Sequence, residues 1–187
     1  MKPYGLRYTR GSVKAIHRSL GLELLVTGGQ SGVDRAALDV AIALDIPCGG
    51  WCPRGRLAED GPIDKRYPLQ ETPLARVIQR THWNMRDSDG TLILARHRPR
   101  GGSIALPSGI GVYRPRLVVN PESFRARHQA IRFIRTHKIS TLNMGGPRES
   151  EDPGIYAVTR AFLLRLFSPF LVAAYRHLQN QWGADSR

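Results

Sequence analysis

Apolar runs and helical periodicity alternate along the chain. Glu23 to Thr27 is a short β-prone run, after which Val33, Ala36, Ala37, Val40, Ala41 and Leu44 recur at the spacing of a helix with one narrow, small-residue face. Pro47 is the expected end of that helix, and Ile46 to Cys52 reads as a strand emptying into an irregular loop over 53–63, rich in Gly, Pro and charge. Thr72-Pro73 predicts the N-cap and first turn of a core-facing helix carrying Leu74, Val77, Ile78, Thr81 and Met85 in register. The turn residues 86–90 lead into an apolar strand, Thr91 to Ala95, and Leu117 to Val119 is a further strand. Asn120-Pro121 opens a helix over 122–138, and Ser140 to Met144 is the last strand. Asp152-Pro153 caps a helix with Ile155, Val158, Phe162 and Leu166 on one face, and Pro169 to Trp182 forms a final helix. Strand and helix alternate five times with no internal repeat and no dividing linker. The expected fold is α/β, a doubly wound, mostly parallel sheet with helices on both faces in a single domain. Its expected parts are a basic arm (1–20), a ligand-binding domain (21–167) and a C-terminal helix or tail (168–187).

The junction of the first strand and helix, Leu24 to Arg35, carries the first candidate chemistry. Gly28, Gly29 and Gly32 have no Cβ, so a ligand can approach the backbone, and the free N–H groups of the helix start point at an anion. Ser31 is the expected N-cap, with Asp34 at the third helical position. The stretch has neither the Gly-Lys-Ser/Thr of a P-loop nor the third glycine of a dinucleotide fingerprint, so a tight turn without a ligand is the competing reading. Two more strand ends carry glycines: Gly101-Gly102-Ser103, and Gly145-Gly146 followed by Arg148-Glu149. Three such loops on one rim favour a site for a phosphate-bearing ligand at the carboxyl edge of the sheet. In the loop over 53–63, Arg54 and Arg56 are within reach of a phosphate, and Glu59 and Asp60 are acceptors for a ribose or pterin; local ion pairs on a surface loop are the alternative.

Composition narrows this picture. The chain has 187 residues, 41% of them hydrophobic, which suits one folded domain. The formal charge of +13 is concentrated in residues 1–20 and 92–187, whereas 21–91 is near balance. Arg125, Arg127, Arg132, Arg135 and Lys138 fall on one predicted helix, either a nucleic-acid surface or a solvated face. Cys48 and Cys52 are expected to be free thiols, and the scattered histidines show no ligand spacing, so no metal site is predicted. No secretory signal is evident, and the most apolar stretch, Ala161 to Tyr175, is broken by Arg165 and Pro169, so a cytoplasmic protein that spans no membrane is expected. No nucleophile or pair of catalytic carboxylates is identifiable, which favours a binding protein over an enzyme.

At these residues the chain resembles the molybdenum cofactor carrier family, a branch of the Rossmann-like group that includes cytokinin-activating phosphoribohydrolases and single-strand-DNA-binding DNA-processing proteins. The likeness runs through Gly28-Gly29-Gln30-Ser31-Gly32-Val33-Asp34-Arg35, Gly49-Gly50-Trp51-Cys52-Pro53-Arg54-Gly55-Arg56, Trp83-Asn84-Met85-Arg86-Asp87-Ser88-Asp89-Gly90-Thr91 and Gly145-Gly146-Pro147-Arg148-Glu149-Ser150. It covers residues 22–167. The resemblance implies a homo-oligomer, dimer or tetramer, that holds the molybdenum cofactor (molybdopterin), a pterin with a phosphate and a dithiolene-bound metal, with molybdenum-cofactor enzymes as partners. On that reading the Gly28 to Gly32 backbone and Ser31 hold the phosphate, and Arg54 and Arg148 neutralise charge. Asp34, Asn84, Asp87 and Asn143 orient polar groups, and Gln30, Arg35, Gly101, Gly102, Ser103, Gly145, Gly146 and Glu149 complete the site. The related phosphoribohydrolases carry Gly-Gly-x-Gly-Thr-x-x-Glu, whereas Gly101 to Ser108 here supplies no acidic residue, which weighs against hydrolysis. Pro107 and the Gly109 to Gly111 stretch imply a shortened or altered element relative to the carriers. Two other functions stay open: N-glycosidic hydrolysis of nucleoside monophosphates through Glu59, Asp60 or Glu149, and single-stranded DNA binding by the basic half.

Overall fold

The computed structural model describes residues 20–97 and 114–167. Residues 1–19 of the basic arm, the Gly101-Gly102-Ser103 loop with its altered continuation, and the helix expected at Pro169 to Trp182 lie outside the described residues. In chain order the elements are β1 (Leu24–Val26), α1 (Val33–Ala43), β2 (Cys48–Cys52), β3 (Leu57–Ala58), β4 (Gly61–Pro62), β5 (Leu69–Glu71), α2 (Val77–Arg86), β6 (Gly90–Leu94), β7 (Arg116–Val119), α3 (Ala126–Thr136), β8 (Thr141–Gly145) and α4 (Ile155–Phe167). Six strands form one parallel sheet in the order β5-β2-β1-β8-β6-β7, and β3 and β4 pair as a small antiparallel hairpin. The α/β architecture expected from the alternation is therefore present. The loop over 53–63 is not irregular throughout, since it contains the hairpin, and β5 adds an edge strand beyond the five alternations.

The connections β1 to β2 and β7 to β8 cross the sheet in one direction and β5 to β6 in the other, so right-handed crossovers put α1 and α3 on one face and α2 on the opposite one. α4 packs beside α1 and α3. The small side chains of α1 make that layer thin: Ala36, Ala37 and Ala41 are fully buried and let the helix lie close on its neighbours. Alternation along the central strands sends Leu92 and Leu94 of β6, and Leu142 and Met144 of β8, into the core shared with Val33, Phe162 and Leu166. The intervening residues face the α2 side. Cys48 and Cys52 are buried in β2 as thiols, not joined in a disulfide.

Several helix ends differ from expectation for local reasons. Pro47 does not stop α1. The helix ends at Ala43, Asp45 takes a left-handed conformation (φ 54°), and the Ile46 amide returns to the Ala41 carbonyl at 2.8 Å. α3 ends in the same way, with Lys138 left-handed (φ 49°) and the Ile139 amide on the Ile134 carbonyl at 3.0 Å. α3 also starts later than Asn120-Pro121 predicted, because the Asn120 side chain accepts from the Glu122 amide and holds a turn before Ala126. Thr72-Pro73 does not cap α2: the Thr72 hydroxyl turns to the Leu74 carbonyl (2.8 Å), and the helix begins at Val77. Nor does α2 face the core with its apolar stripe. Leu74, Val77 and Ile78 are 51%, 45% and 44% exposed, and only Asn84 of the helix is buried. Asp152 does not cap α4 with its side chain, which Arg96 takes in an ion pair; the Glu149 carboxylate caps that helix instead, accepting from the amides of Gly154 (2.5 Å) and Tyr156 (3.0 Å).

Candidate functional site

The carboxyl ends of β1 and β8 open into loops that pack on one another. Gly32 lies at φ +71°, and a Cβ there would stand 2.5 Å from the Pro147 carbonyl oxygen, so only glycine lets the 147–149 segment reach the start of α1. The Val33 amide donates to Pro147 at 3.3 Å. Ser31 is not the N-cap, which is Gly32 with no side-chain cap bond. Its hydroxyl instead donates to Glu59 in the turn of the β3–β4 hairpin and accepts from the Glu149 amide at 3.2 Å. Gln30 accepts from the amides of Ser31 (3.0 Å) and Glu59 (2.9 Å). Glu59 also takes the Ser150 amide and hydroxyl, so the hairpin clasps both loops. Burial opposes the charge on Glu59, but the hydrogen bonds from Ser150 and Ser31 outweigh it and hold the carboxyl below its ordinary value. Arg35 secures the other side, donating twice to the Gly29 carbonyl (3.2 Å) and pairing with Asp60 at 3.0 Å.

Below this rim, between α2 and the face of β6 and β8, is a pocket of about 350 Å³. Its cationic wall is Arg80, whose Nη1 pairs with Asp34 at 3.0 Å, both side chains being mostly buried. The guanidinium lies over Gly28, where a Cβ would stand 1.9 Å from Nη1. The missing side chain of Gly28 thus makes room for an arginine. Arg80 Nε is buried and has no hydrogen-bond partner among the described residues, and neither has the hydroxyl of Thr27 beside Gly28. Arg148, paired with Glu151, borders the same pocket, as do Gly145 and Gly146; a Cβ at Gly145 would meet nothing within 4 Å. Val77, Ile78, Met85 and Ile93 supply apolar walls. The exposed apolar stripe of α2 is therefore in part the wall of a cavity.

Of the residues singled out in sequence, Gln30, Asp34, Asn84, Asn143, Gly145, Gly146 and Arg148 border this pocket. Asn84 spends its amide on the backbone of Trp51, accepting at 2.7 Å and donating at 3.0 Å, and so fastens α2 to β2. Asp87 accepts from the Trp51 indole at 2.7 Å and pairs with Arg86, away from the pocket. Arg54 is exposed and does not border it. Arg56 is occupied by the carbonyls of Ile63, Asp64, Tyr67 and Leu69. Gly28, Gly29, Ser31, Gly32, Arg35 and Glu149 build the rim loops rather than the described wall. Sequence reasoning missed Arg80, Thr91, Arg116 and Glu151. Arg80 had a signal, an arginine three residues after Val77 on the apolar stripe of a helix. The two acids bordering the pocket are each paired with an arginine, which makes them counter-ions. The bases Arg125, Arg132, Arg135 and Lys138 are exposed at α3, across the sheet from the pocket.

Residues 25–167 match the circularly permutated YpsA SLOG family. The solved structure of the "putative molybdenum carrier protein" of Syntrophus aciditrophicus SB is similar to this chain, with 36% identity and a TM-score of 0.70 over 78% of this chain and 95% of that one. No curated protein matches the chain. Among the described residues, no helix is long and apolar enough to cross a membrane.

Proposed function

The chain belongs to the circularly permutated YpsA SLOG family, and on that premise we propose that it is a carrier whose pocket binds the molybdenum cofactor, or a related phosphate-bearing pterin or nucleotide, without reacting it. The observation that supports this most is Arg80, pinned over Gly28 by Asp34 with Nε buried and unpartnered at the edge of a cavity. A buried guanidinium with an open N–H is a receptor for a phosphate oxygen, since charge-assisted bonds to an anion are about twice as strong as neutral ones. Arg148 adds charge at the border of the pocket, and Gly145, where a Cβ would meet nothing within 4 Å, leaves space for the ligand. The cavity volume of about 350 Å³ falls at the lower end of the range for small-ligand sites, roughly 300–1,000 Å³, which suits a single phosphorylated fused-ring molecule. When bound, the cofactor supplies its own metal and dithiolene; the residues of this chain hold its phosphate, wall its ring and limit its contact with water.

The same reading carries a homo-oligomer, for which exposed Leu74, Val77 and Ile78 are the apolar surface an assembly would cover. Partners are then a second copy and the molybdenum-cofactor enzymes that receive the ligand.

The test is retention of isolated molybdenum cofactor by purified protein, read as the fluorescent oxidised pterin and as molybdenum in the retained fraction. Stoichiometric retention that unlabelled cofactor competes away is the expected result. Gly145→Val, which meets no neighbour at its Cβ and fills the cavity, should keep the melting temperature and lose retention. No retention by the wild-type chain would sink the carrier reading, and free base released from nucleoside monophosphates would put hydrolysis in its place.

A further inference from the structure

The sheet floor of the pocket carries a polar row that crosses three strands. Register sets Thr91 of β6 beside Arg116 of β7 on one side and beside Asn143 of β8 on the other. Neighbouring strands are about 4.8 Å apart, so the three side chains form a line roughly 10 Å long across the sheet. Their alternate neighbours Leu92 and Leu142 enter the opposite core, while all three border the pocket. Thr91 and Asn143 are 6% and 7% exposed. Asn143 Nδ2 donates to Thr91 Oγ1 at 3.1 Å, and among the described residues this is the one side-chain bond of the pair.

Central parallel strands are ordinarily apolar on both faces, and a buried polar group costs free energy unless its bonding capacity is used. Here the Thr91 hydroxyl proton, the Asn143 carbonyl oxygen and the second Asn143 N–H remain for whatever fills the cavity. One residue pair further along the same face, Ile93 stands beside Gly145, about 7 Å nearer the glycine loops and the anion end. The pocket is thus polar at both ends, with Ile93 between.

We propose that Thr91 and Asn143 are the recognition point for the hydrogen-bonding edge of a fused nitrogen heterocycle, an edge that presents a donor beside an acceptor. The ligand then lies along the strands, with its phosphate at Arg80 and Arg148 and its ring faces against Ile93 and Met85. The Thr91 hydroxyl donates to a ring nitrogen or carbonyl, and the Asn143 oxygen accepts from the adjacent N–H. This rests on the assignment of the anion to Arg80 made above, and it adds what distinguishes a pterin or purine from any other phosphate ester.

Two probes separate the ends: inorganic pyrophosphate for the anion end, and a phosphate-free heterocycle for the floor, with 6-hydroxymethylpterin and guanosine as separate arms that distinguish pterin from purine. Titrations use the full chain by calorimetry, with pterin fluorescence as a second readout. Thr91→Val, nearly isosteric, should weaken the heterocycle by about tenfold or more, because a site built around a hydroxyl is left with an unpaired amide. Thr91→Ser should restore most of that loss, and Arg80→Ala should remove pyrophosphate binding while sparing the heterocycle. Heterocycle affinity unchanged in Thr91→Val would overturn the proposal, as would an equal loss of both probes. If the wild-type chain binds pyrophosphate but neither heterocycle, the floor assignment fails and the anion site stands; if it binds no probe, both fall.

Discussion

At the scale of single residues, the site depends on an atom that is missing. Gly28 has open space above it only because it lacks a Cβ, and Arg80 uses that space to bring a guanidinium to the end of β1 and the start of α1. Gly28→Ala should therefore act at a distance from its own backbone. The clash falls on the end of a flexible side chain, so the fold should survive, with a melting temperature lowered to the extent that Arg80 is drawn away from Asp34. The displaced Arg80 should weaken pyrophosphate binding by about tenfold, the worth of roughly one charge-assisted bond. Calorimetry beside a thermal melt separates the two effects, and a variant that binds normally would show that Arg80 does not need its seat on the glycine. Asp34 is the necessary companion: buried without its arginine, its carboxylate would be an unpaired charge, which is why the pair should be changed together when stability is the readout.

At the scale of elements, two helices end in left-handed residues that are not glycine. Lys138 at the end of α3 sits at φ 49° and is exposed. Lys138→Gly should raise stability by about 1 kcal/mol, since a side chain in that conformation costs on the order of 1 kcal/mol and no described contact is lost; chemical denaturation measures it. A second prediction concerns the joint between α1, α4 and the segment before β5. Tyr67 and Tyr156 both donate to Asp39, each at 2.8 Å. Burial, reinforced by that hydrogen bond, pushes the Tyr156 phenol up to about 12. The unfolded phenol ionises near pH 10, so between about pH 10 and 12 the unfolded chain loses a proton that the folded chain keeps. Stability from this group is intact below about pH 10 and drains as the pH rises through the folded value. Tyr156→Phe should flatten that alkaline slope, leaving the part that belongs to Tyr67. The elements also show what could be read in advance. β6, β8 and α1 were legible because their apolar spacing answers to burial, which is a property of each segment alone. α2 was misread for the same reason: its stripe is apolar, but it borders a cavity instead of the core. The rim glycines were legible as turns, whereas Arg80 and Thr91 were not, since the cavity they share is made by register and crossover, which residue spacing does not encode.

At the scale of the whole molecule, the formal charge of +13 stores repulsion that the ion pairs at the pocket do not relieve. Salt shortens the range of that repulsion to about 10 Å at 0.1 M. The melting temperature should therefore rise as sodium chloride is taken from about 20 to 200 mM, while pyrophosphate affinity falls over the same range; a melting temperature independent of salt would mean that the charges are already dispersed.

Both cysteines of the chain lie in β2. A thiol reagent therefore has no target until that strand comes away from its neighbours, and burial, which pushes the Cys52 thiol up, slows the reaction further. The rate of labelling in native buffer becomes a clock for the opening of β5-β2-β1, the half of the sheet to which Asn84 fastens α2. Because the far side of the pocket is built on β6 and β8, a molecule that bridges α2 to those strands should slow the clock. Ligands of unknown identity can then be found by the silence of two sulfur atoms that they never touch.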